Sequence, residues 1–326
     1  MSPWRSEHEA WIRANVTSKT GTIAELAAFK EAFPFTPTLA QFSGFAARVL
    51  RGYSVPPSPV SSLDELALHI PWRTFLVISD LQCPYHDAEL LERVISLAEA
   101  WDVEGVIDNG DHFDFATVSK FSPSVYGDRV PLGEELRVGG DILDVLIKRL
   151  KRLVLVPGNH DLRLVLRLLE GQLAPDQAQR LLSANENLVF TQLSWLWADG
   201  FANDERIRIT HPGAASVVAG TVGADISRNY DCHVIVAHDH LLCQRRSHSG
   251  RWTVTHSGIL ADRTRLGYSF AIDNRRPLMN QGAVLVHPDR EGRPIIQLLD
   301  AMNTDWELEH HIAAHRPRYA PAKEAA

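Results

Sequence analysis

Leu153-Val154-Leu155-Val156-Pro157-Gly158-Asn159-His160-Asp161 decides the fold of this 326-residue chain. An aliphatic run closed by Pro-Gly reads as a buried strand that stops abruptly, and the amide, imidazole and carboxylate after the stop can each coordinate a cation or move a proton. A polar cluster at the C-terminal end of a strand is what an open α/β sheet offers a ligand. Working outward, four more apolar runs end in similar side chains. Thr74 to Ser79 leads to Asp80 and Gln82, and Val103 to Gly110 leads to Asp111, with His112 and Asp114 just behind. Arg206 to Thr210 leads to His211, and His233 to Ala237 leads to His238 and His240. Each of these residues alone has an ordinary explanation, Asp80 and Asp111 as helix caps, Asn159 as a turn former, His211 as a turn residue before Pro212. Their joint recurrence at five strand ends favours one shared site.

The order of the blocks resembles that of the calcineurin-like metallophosphoesterase superfamily, which runs Asp-x-His, Gly-Asp, Gly-Asn-His-Asp/Glu, His and Gly-His-x-His. Here the blocks stand as Asp80-Leu81-Gln82, Gly110-Asp111, Gly158-Asn159-His160-Asp161, His211-Pro212-Gly213 and Ala237-His238-Asp239-His240. Gln82 replaces a histidine of the pattern and Ala237 replaces a glycine. The resemblance implies an α/β fold, an αββα sandwich, holding two divalent metal ions. Asp111 would bridge them, Asp80, Gln82 and His240 would complete the first site, and Asn159, His211 and His238 the second. Oxygen and imidazole ligands without a thiolate suit Mn²⁺, the expected ion, or Fe²⁺ and Zn²⁺, with Mg²⁺ less natural at imidazole. His160 would then be free of metal and act as the acid for the leaving group, held by Asp161 or another nearby acid. His86, His112 and Asp114 could orient the ligands.

That resemblance implies a hydrolase acting on phosphoester bonds through a hydroxide bridging the metals. Phe115 stands where serine/threonine protein phosphatases of the superfamily carry a phosphate-clamping Arg, and Pro84-Tyr85-His86-Asp87 looks closer to bacterial and phage-encoded phosphoesterases. The expected substrate is a phosphodiester, in nucleic acid or a nucleotide. The alternatives are a phosphomonoesterase acting on a small metabolite, and a DNA- or protein-binding factor whose metal site is weakened by Gln82.

The totals fit a globular chain, 45% hydrophobic and 22% charged. A net charge of -7 excludes a bulk polyanion binder, although a metal-assembled site supplies its own positive field. The three cysteines, Cys83, Cys232 and Cys243, form no CxxC pair and fit a reducing cytoplasm. No apolar run reaches the ~18 to 20 residues of a membrane span, and Met1 to Glu7 has no apolar core of a secretion signal.

Residues 1 to 54 read as a small helical unit, with capping-box spacing at Thr22 to Glu25 and again at Thr38 to Gln41. Apolar stripes of Ile23, Leu26, Phe29 and Phe33, then of Leu39, Phe42 and Val49, suggest two short helices across a break, a helix-turn-helix that would dock DNA or protein. The Pro/Ser-rich stretch 55 to 72 reads as a linker, 73 to 305 as the catalytic domain and 306 to 326 as a fraying tail. Within the domain, Asp87 is placed to cap a helix bearing Leu90, Leu91, Val94, Ile95 and Ala98. Leu136 to Leu150 and Leu162 to Ser183 are helical in pattern, and strands are expected near 251–255, 282–287 and 294–299. Arg245, Arg246, His248 and Arg251 gather on one hairpin, either to hold a phosphate or as a solvated face.

Overall fold

The computed structural model describes residues 6–17, 22–33, 37–50, 66–119, 130–169, 188–266 and 279–302. The 306–326 tail, most of the Pro/Ser-rich stretch and the part of the 162–183 helix beyond 169 lie outside the described residues. The chain divides into two compact units, Met1–Leu66 and Ala67–Ala326.

The first unit holds α1 (Ser6–Asn15), α2 (Ile23–Ala32) and α3 (Leu39–Leu50). The capping box is present at the start of α2, where the Thr22 hydroxyl accepts the Glu25 N–H at 3.2 Å and Glu25 Oε2 accepts the Thr22 N–H at 2.6 Å. Ile12, Val16, Leu26, Phe29, Phe42, Ala46 and Val49 form its core. Ile23 and Leu39, read as parts of the apolar stripes, open their helices and remain exposed.

The second unit is a pair of six-stranded sheets. One runs β12 (Pro294–Asp300), β11 (Gly282–Pro288), β2 (Phe75–Ile78), β3 (Val106–Asp108), β4 (Leu153–Leu155) and β5 (Leu188–Phe190). Strands β2 to β5 are parallel, as expected for strands joined by helical crossovers, and β11 joins β2 antiparallel. The other sheet runs β1 (His69–Ile70), β6 (Trp195–Ala198), β7 (Ile207–Thr210), β8 (His233–Val236), β10 (Thr253–Ser257) and β9 (Leu242–Arg246), with β7, β8 and β10 parallel. His69–Ile70 pairs with β6 and Trp72 is buried, so the 55–72 stretch read as linker contributes to this sheet at its C-terminal end.

Strand periodicity sorts the side chains into layers. Phe75 and Val77 point to one side of β2, into a core shared with Ile107, Val154, Ile207, Ile209 and Ile235 between the sheets. Leu76 and Ile78 point to the other side, under α4 (Ala88–Ala100) and α5 (Leu132–Leu150), whose Leu91, Val94, Ile95, Leu146 and Leu150 cover them. On the far side, Trp197, Val234 and Val236 pack with Val222, Ile226 and Tyr230 of α7 (Thr221–Tyr230). The order helix, sheet, sheet, helix is the expected αββα sandwich. Strands covered on both faces lose the alternation of polar and apolar residues, which is why they read as continuous apolar runs. Asp87 caps α4, accepting the Leu90 N–H at 3.0 Å. Arg149 of α5 ties the two helices together through Glu92 and Glu99.

Candidate metal centre

The turns after β2, β3, β4, β7 and β8 carry the predicted side chains and meet at one edge of the sandwich. The backbone there is unusual. Asp80, Gln82, Asp111, His238 and His240 all have positive φ, between 47° and 82°, a region that non-glycine residues avoid at a cost of about 1–3 kcal/mol each. Hydrogen bonds hold the turns in place, from Asp80 N–H to Gly110 O at 2.9 Å and from Gln82 N–H to Asp111 O at 3.0 Å. Glycine is required where turns touch: a Cβ on Gly158 would overlap Asp111, and on Gly110, at φ +91°, it would stand 2.5 Å from His211 Nδ1.

Two groups of ligand atoms result. In the first, Asp111, His211 and His238 bring their ligand atoms within 4.8 Å of one another. Asn159 Oδ1 lies 3.3 Å, and Asp111 Oδ2 3.4 Å, from His211 Nε2. His211 Nδ1 faces the Asn109 carbonyl at 2.8 Å, which fixes the tautomer with its proton on Nδ1 and turns the Nε2 lone pair toward the centre. In the second group, His240 Nε2 lies 3.1 Å from Asp80 Oδ1 and 3.4 Å from the Gln82 amide nitrogen. A half-turn of that amide would present its oxygen instead. The groups adjoin: His238 N–H reaches Asp80 Oδ2 at 3.4 Å.

Asp80 Oδ1 and Asp111 Oδ2 are buried and accept no hydrogen bond. Buried carboxylate oxygens left without partners are costly, and here each points at imidazole nitrogens rather than at N–H donors of good geometry. A cation would satisfy them, so the residues present fit a metal. The proton balance agrees. Burial works against a charged His211, yet the adjoining Asp111 outweighs it and draws the ring up to about 10. Burial and the His211 charge push His238 down to about 4. Asp111, against its own burial, is held well below the usual carboxylate range by His211 and His160. Without metal, a proton on His211 takes the cation's place.

His160 stands beside this group. Its backbone N–H donates to Asp111 Oδ1 at 2.7 Å, and its ring Nδ1 lies 3.0 Å from both the carboxylate and the carbonyl of Asp114. Burial opposes a charged ring, but Asp111 and Asp114 raise its pKa. The acid on His160 is therefore Asp114, not Asp161. Asp161 opens α6 (Asp161–Leu169), and its carboxylate accepts the backbone N–H of Asp111 and Gly158, each at 2.8 Å, and of Phe113 at 3.1 Å. Burial and the Asp111 charge push it up to about 6. Its place is structural, pinning the β3 turn to the β4 turn.

Sequence reading missed Arg163, whose Nη2 lies 2.8 Å from His160 Nε2; the available signal was its place three residues after His160, in the first turn of the helix that follows. His112 faces Asp108 Oδ2 at 2.6 Å and the Gly139 carbonyl at 3.0 Å, so both ring nitrogens donate and the ring braces β3 against α5. His256 is fully buried with Nδ1 2.6 Å from Asp239, the residue between His238 and His240. His86 forms a backbone bridge with Ala261. The Arg245–Arg251 hairpin lies elsewhere. Leu242 pairs with Ser257 at the end of β10 that matches the His238 end of β8, whereas Arg246 pairs with Thr253 at the opposite end. Arg251 there stacks over Trp252 at 4.2 Å, so the cluster is a solvated face.

Among known proteins, the family described as calcineurin-like phosphoesterase matches residues 73–284. No curated protein matches the chain. Among solved structures, the chain is similar to Vps29 of Chaetomium thermophilum at 12% identity and a TM-score of 0.37, covering 69% of this chain and 95% of that one. It is also similar to YfcE, a phosphoesterase from E. coli, at 14% identity and a TM-score of 0.35, covering 70% and 98%. A third is wild-type Vps29 of Entamoeba histolytica complexed with zinc, at 11% and 0.34, covering 70% and 98%.

Proposed function

This chain belongs to the calcineurin-like phosphoesterase family, phosphoester hydrolases that depend on metal, and we propose that it hydrolyses phosphodiesters in nucleic acids or nucleotides with two divalent cations. The observation that carries this reading is the meeting of Asp80 Oδ1 and Asp111 Oδ2, buried and without hydrogen bonds, with imidazole nitrogens directly beside His160. Asp80, Gln82 and His240 would hold one cation, Asn159, His211 and His238 the other, and Asp111 both. Mn²⁺ matches this oxygen-rich set best, ahead of Fe²⁺, Zn²⁺ and Mg²⁺. Such a pair, when bound, clamps phosphoryl oxygens and acidifies the attacking water.

The chain's own residues do the rest. His160 gives a proton from Nε2 to the departing alkoxide, and Asp114, on Nδ1, fixes the ring's direction and favours its charged form. Asp161 holds the two turns at the spacing this requires. Phe115 is buried and stacked on Phe113 with centroids 4.8 Å apart, which supports a branch other than the Arg-bearing protein phosphatases. The first unit would bring the substrate, by docking DNA or a protein on it. Among the described residues no helix is long and apolar enough to cross a membrane.

Metal analysis of the purified chain, coupled to assays on a chromogenic diester and a chromogenic monoester, tests the proposal. Faster turnover of the diester, raised by added Mn²⁺, is expected. A preference for the monoester would make it a phosphomonoesterase. Bound metal without turnover of either would return the chain to a binding role.

A further inference from the structure

The guanidinium of Arg163 is held in an unusual way. Arg149, a structural arginine, reaches two carboxylates at 2.6 Å. Arg163, by contrast, donates to the Asp114 carbonyl at 2.7 Å and to His160 Nε2 at 2.8 Å, and its contact to the Asp114 carboxylate is 3.8 Å. Its side chain is 19% exposed, against 1% for Asp111. A planar fork of five donors suits phosphate oxygens, and here it is paired with a carboxylate only at 3.8 Å, where Arg149 holds two at 2.6 Å.

The geometry also sets a condition on His160. The guanidinium stands 2.8 Å from Nε2, the atom that would give a proton to the departing alkoxide. Nε2 cannot serve a leaving group while the guanidinium covers it. Something must draw Arg163 away, and an arriving anion offers a guanidinium stronger, charge-assisted hydrogen bonds than an imidazole nitrogen does.

We propose that Arg163 is the phosphate-binding residue of this site: parked on His160 Nε2 in the free protein, it moves onto the substrate's phosphoryl oxygens and uncovers the ring as it does so. This rests on the hydrolase reading above and names the residue that ties substrate arrival to the readiness of His160. No bond is made or broken in the transfer; one hydrogen bond to nitrogen is exchanged for hydrogen bonds to anionic oxygen. Arg163 lies in the first turn of α6, three residues after His160, and its N–H donates to the His160 carbonyl at 2.9 Å, which keeps the two side chains within reach of one another.

The test is titration of the full-length, metal-loaded protein with inorganic phosphate by calorimetry, comparing wild type with Arg163→Gln and Arg163→Lys. Metal content and thermal transition are recorded for each. Loss of hydrogen bonds to a charged partner predicts about 10- to 100-fold weaker phosphate binding for the Gln variant, with metal content unchanged. The Lys variant recovers only part, because an ammonium lacks the fork. Free guanidinium should restore the Gln variant's diester turnover by lowering KM. Equal phosphate affinity in wild type and the Gln variant would overturn the proposal, and so would a wild type that takes up no phosphate. If the Gln variant does not fold, the Lys variant decides, with undiminished affinity and unchanged KM counting against the proposal. A wild type that binds phosphate through Arg163 but cleaves no phosphoester would sink the hydrolase reading instead.

Discussion

His160 and His211 sit in one cluster of buried histidines and acids, yet the groups facing their nitrogens give them different work. His211 is aimed by a carbonyl on Nδ1, so its other nitrogen is committed to the centre. His160 is aimed by Asp114 and borders the ligands without joining their three-residue group. His160→Ala is therefore expected to keep its metal while kcat falls by roughly 10² to 10⁴. Asp114→Asn should lower kcat by roughly 10- to 100-fold with KM little changed, as for other residues that orient a working side chain. Metal analysis beside kinetics checks both, and loss of metal in His160→Ala would make it a ligand. A second expectation follows from the proton on His211. With its pKa drawn up to about 10, the ring is charged at pH 7 and must lose that proton to ligate. Metal uptake should then release close to one proton per chain at pH 7, and affinity should rise with pH up to about 10. Calorimetry in buffers of different ionisation enthalpy measures this, and a buffer-independent enthalpy would refute it.

At the level of elements, the centre depends on how closely the β3 and β4 turns approach. Gly158→Ala would drive a methyl group into Asp111, so it should cost about 1–3 kcal/mol, the usual range for overpacking, and lower metal content with it. Unchanged stability and metal content would mean that the turns have room to part. Helix α5 adds a pH dependence. Glu135 is buried, accepts the Thr117 hydroxyl at 3.3 Å, and is pushed up to about 8 by burial and then by Asp114. Its folded value lies above the ordinary 4.5, so the fold takes up a proton there. The stability this lends is complete below pH 4.5 and is lost as pH rises through 8. Glu135→Gln should flatten that fall and leave the protein more stable than wild type above pH 8, as denaturant midpoints across pH would show. An unaltered slope would mean that another group carries it.

For the whole molecule, the chain divides into two compact units after Leu66. Deleting residues 1–66 is expected to spare metal content and turnover of a small chromogenic diester while weakening affinity for DNA. Equal DNA affinity of both forms, read by fluorescence anisotropy, would leave the first unit a role in docking protein. Residues 1–54 hold six Lys/Arg against four acids, so any DNA affinity should depend only shallowly on salt. Six neutralised phosphates would be its ceiling.

The sequence by itself determined the apolar runs that became β2, β3, β4, β7 and β8 and the polar residues at their ends, because a run of strand length, a stop and a polar residue at a fixed offset are local information. The αββα layers and the grouping of those side chains into one site were implied only by the resemblance that the order of the blocks carries. The sequence also determined the capping box at Thr22 and Glu25 and the Asp87 cap, which are bonds within a few residues. Three matters were left to tertiary structure. Asp161 adjoins His160 in the chain but turns to three backbone amides, while Asp114, distant in sequence by 46 residues, takes the imidazole. Arg163 became legible only once α6 placed it over His160. The Arg245–Arg251 hairpin, basic enough to suggest phosphate, was carried to the opposite end of the sheet by strand register. In each case the deciding quantity is which groups the folded chain brings within hydrogen-bonding reach. Spacing in sequence does not carry that for residues on different elements, because the partner is chosen by how strands and helices pack.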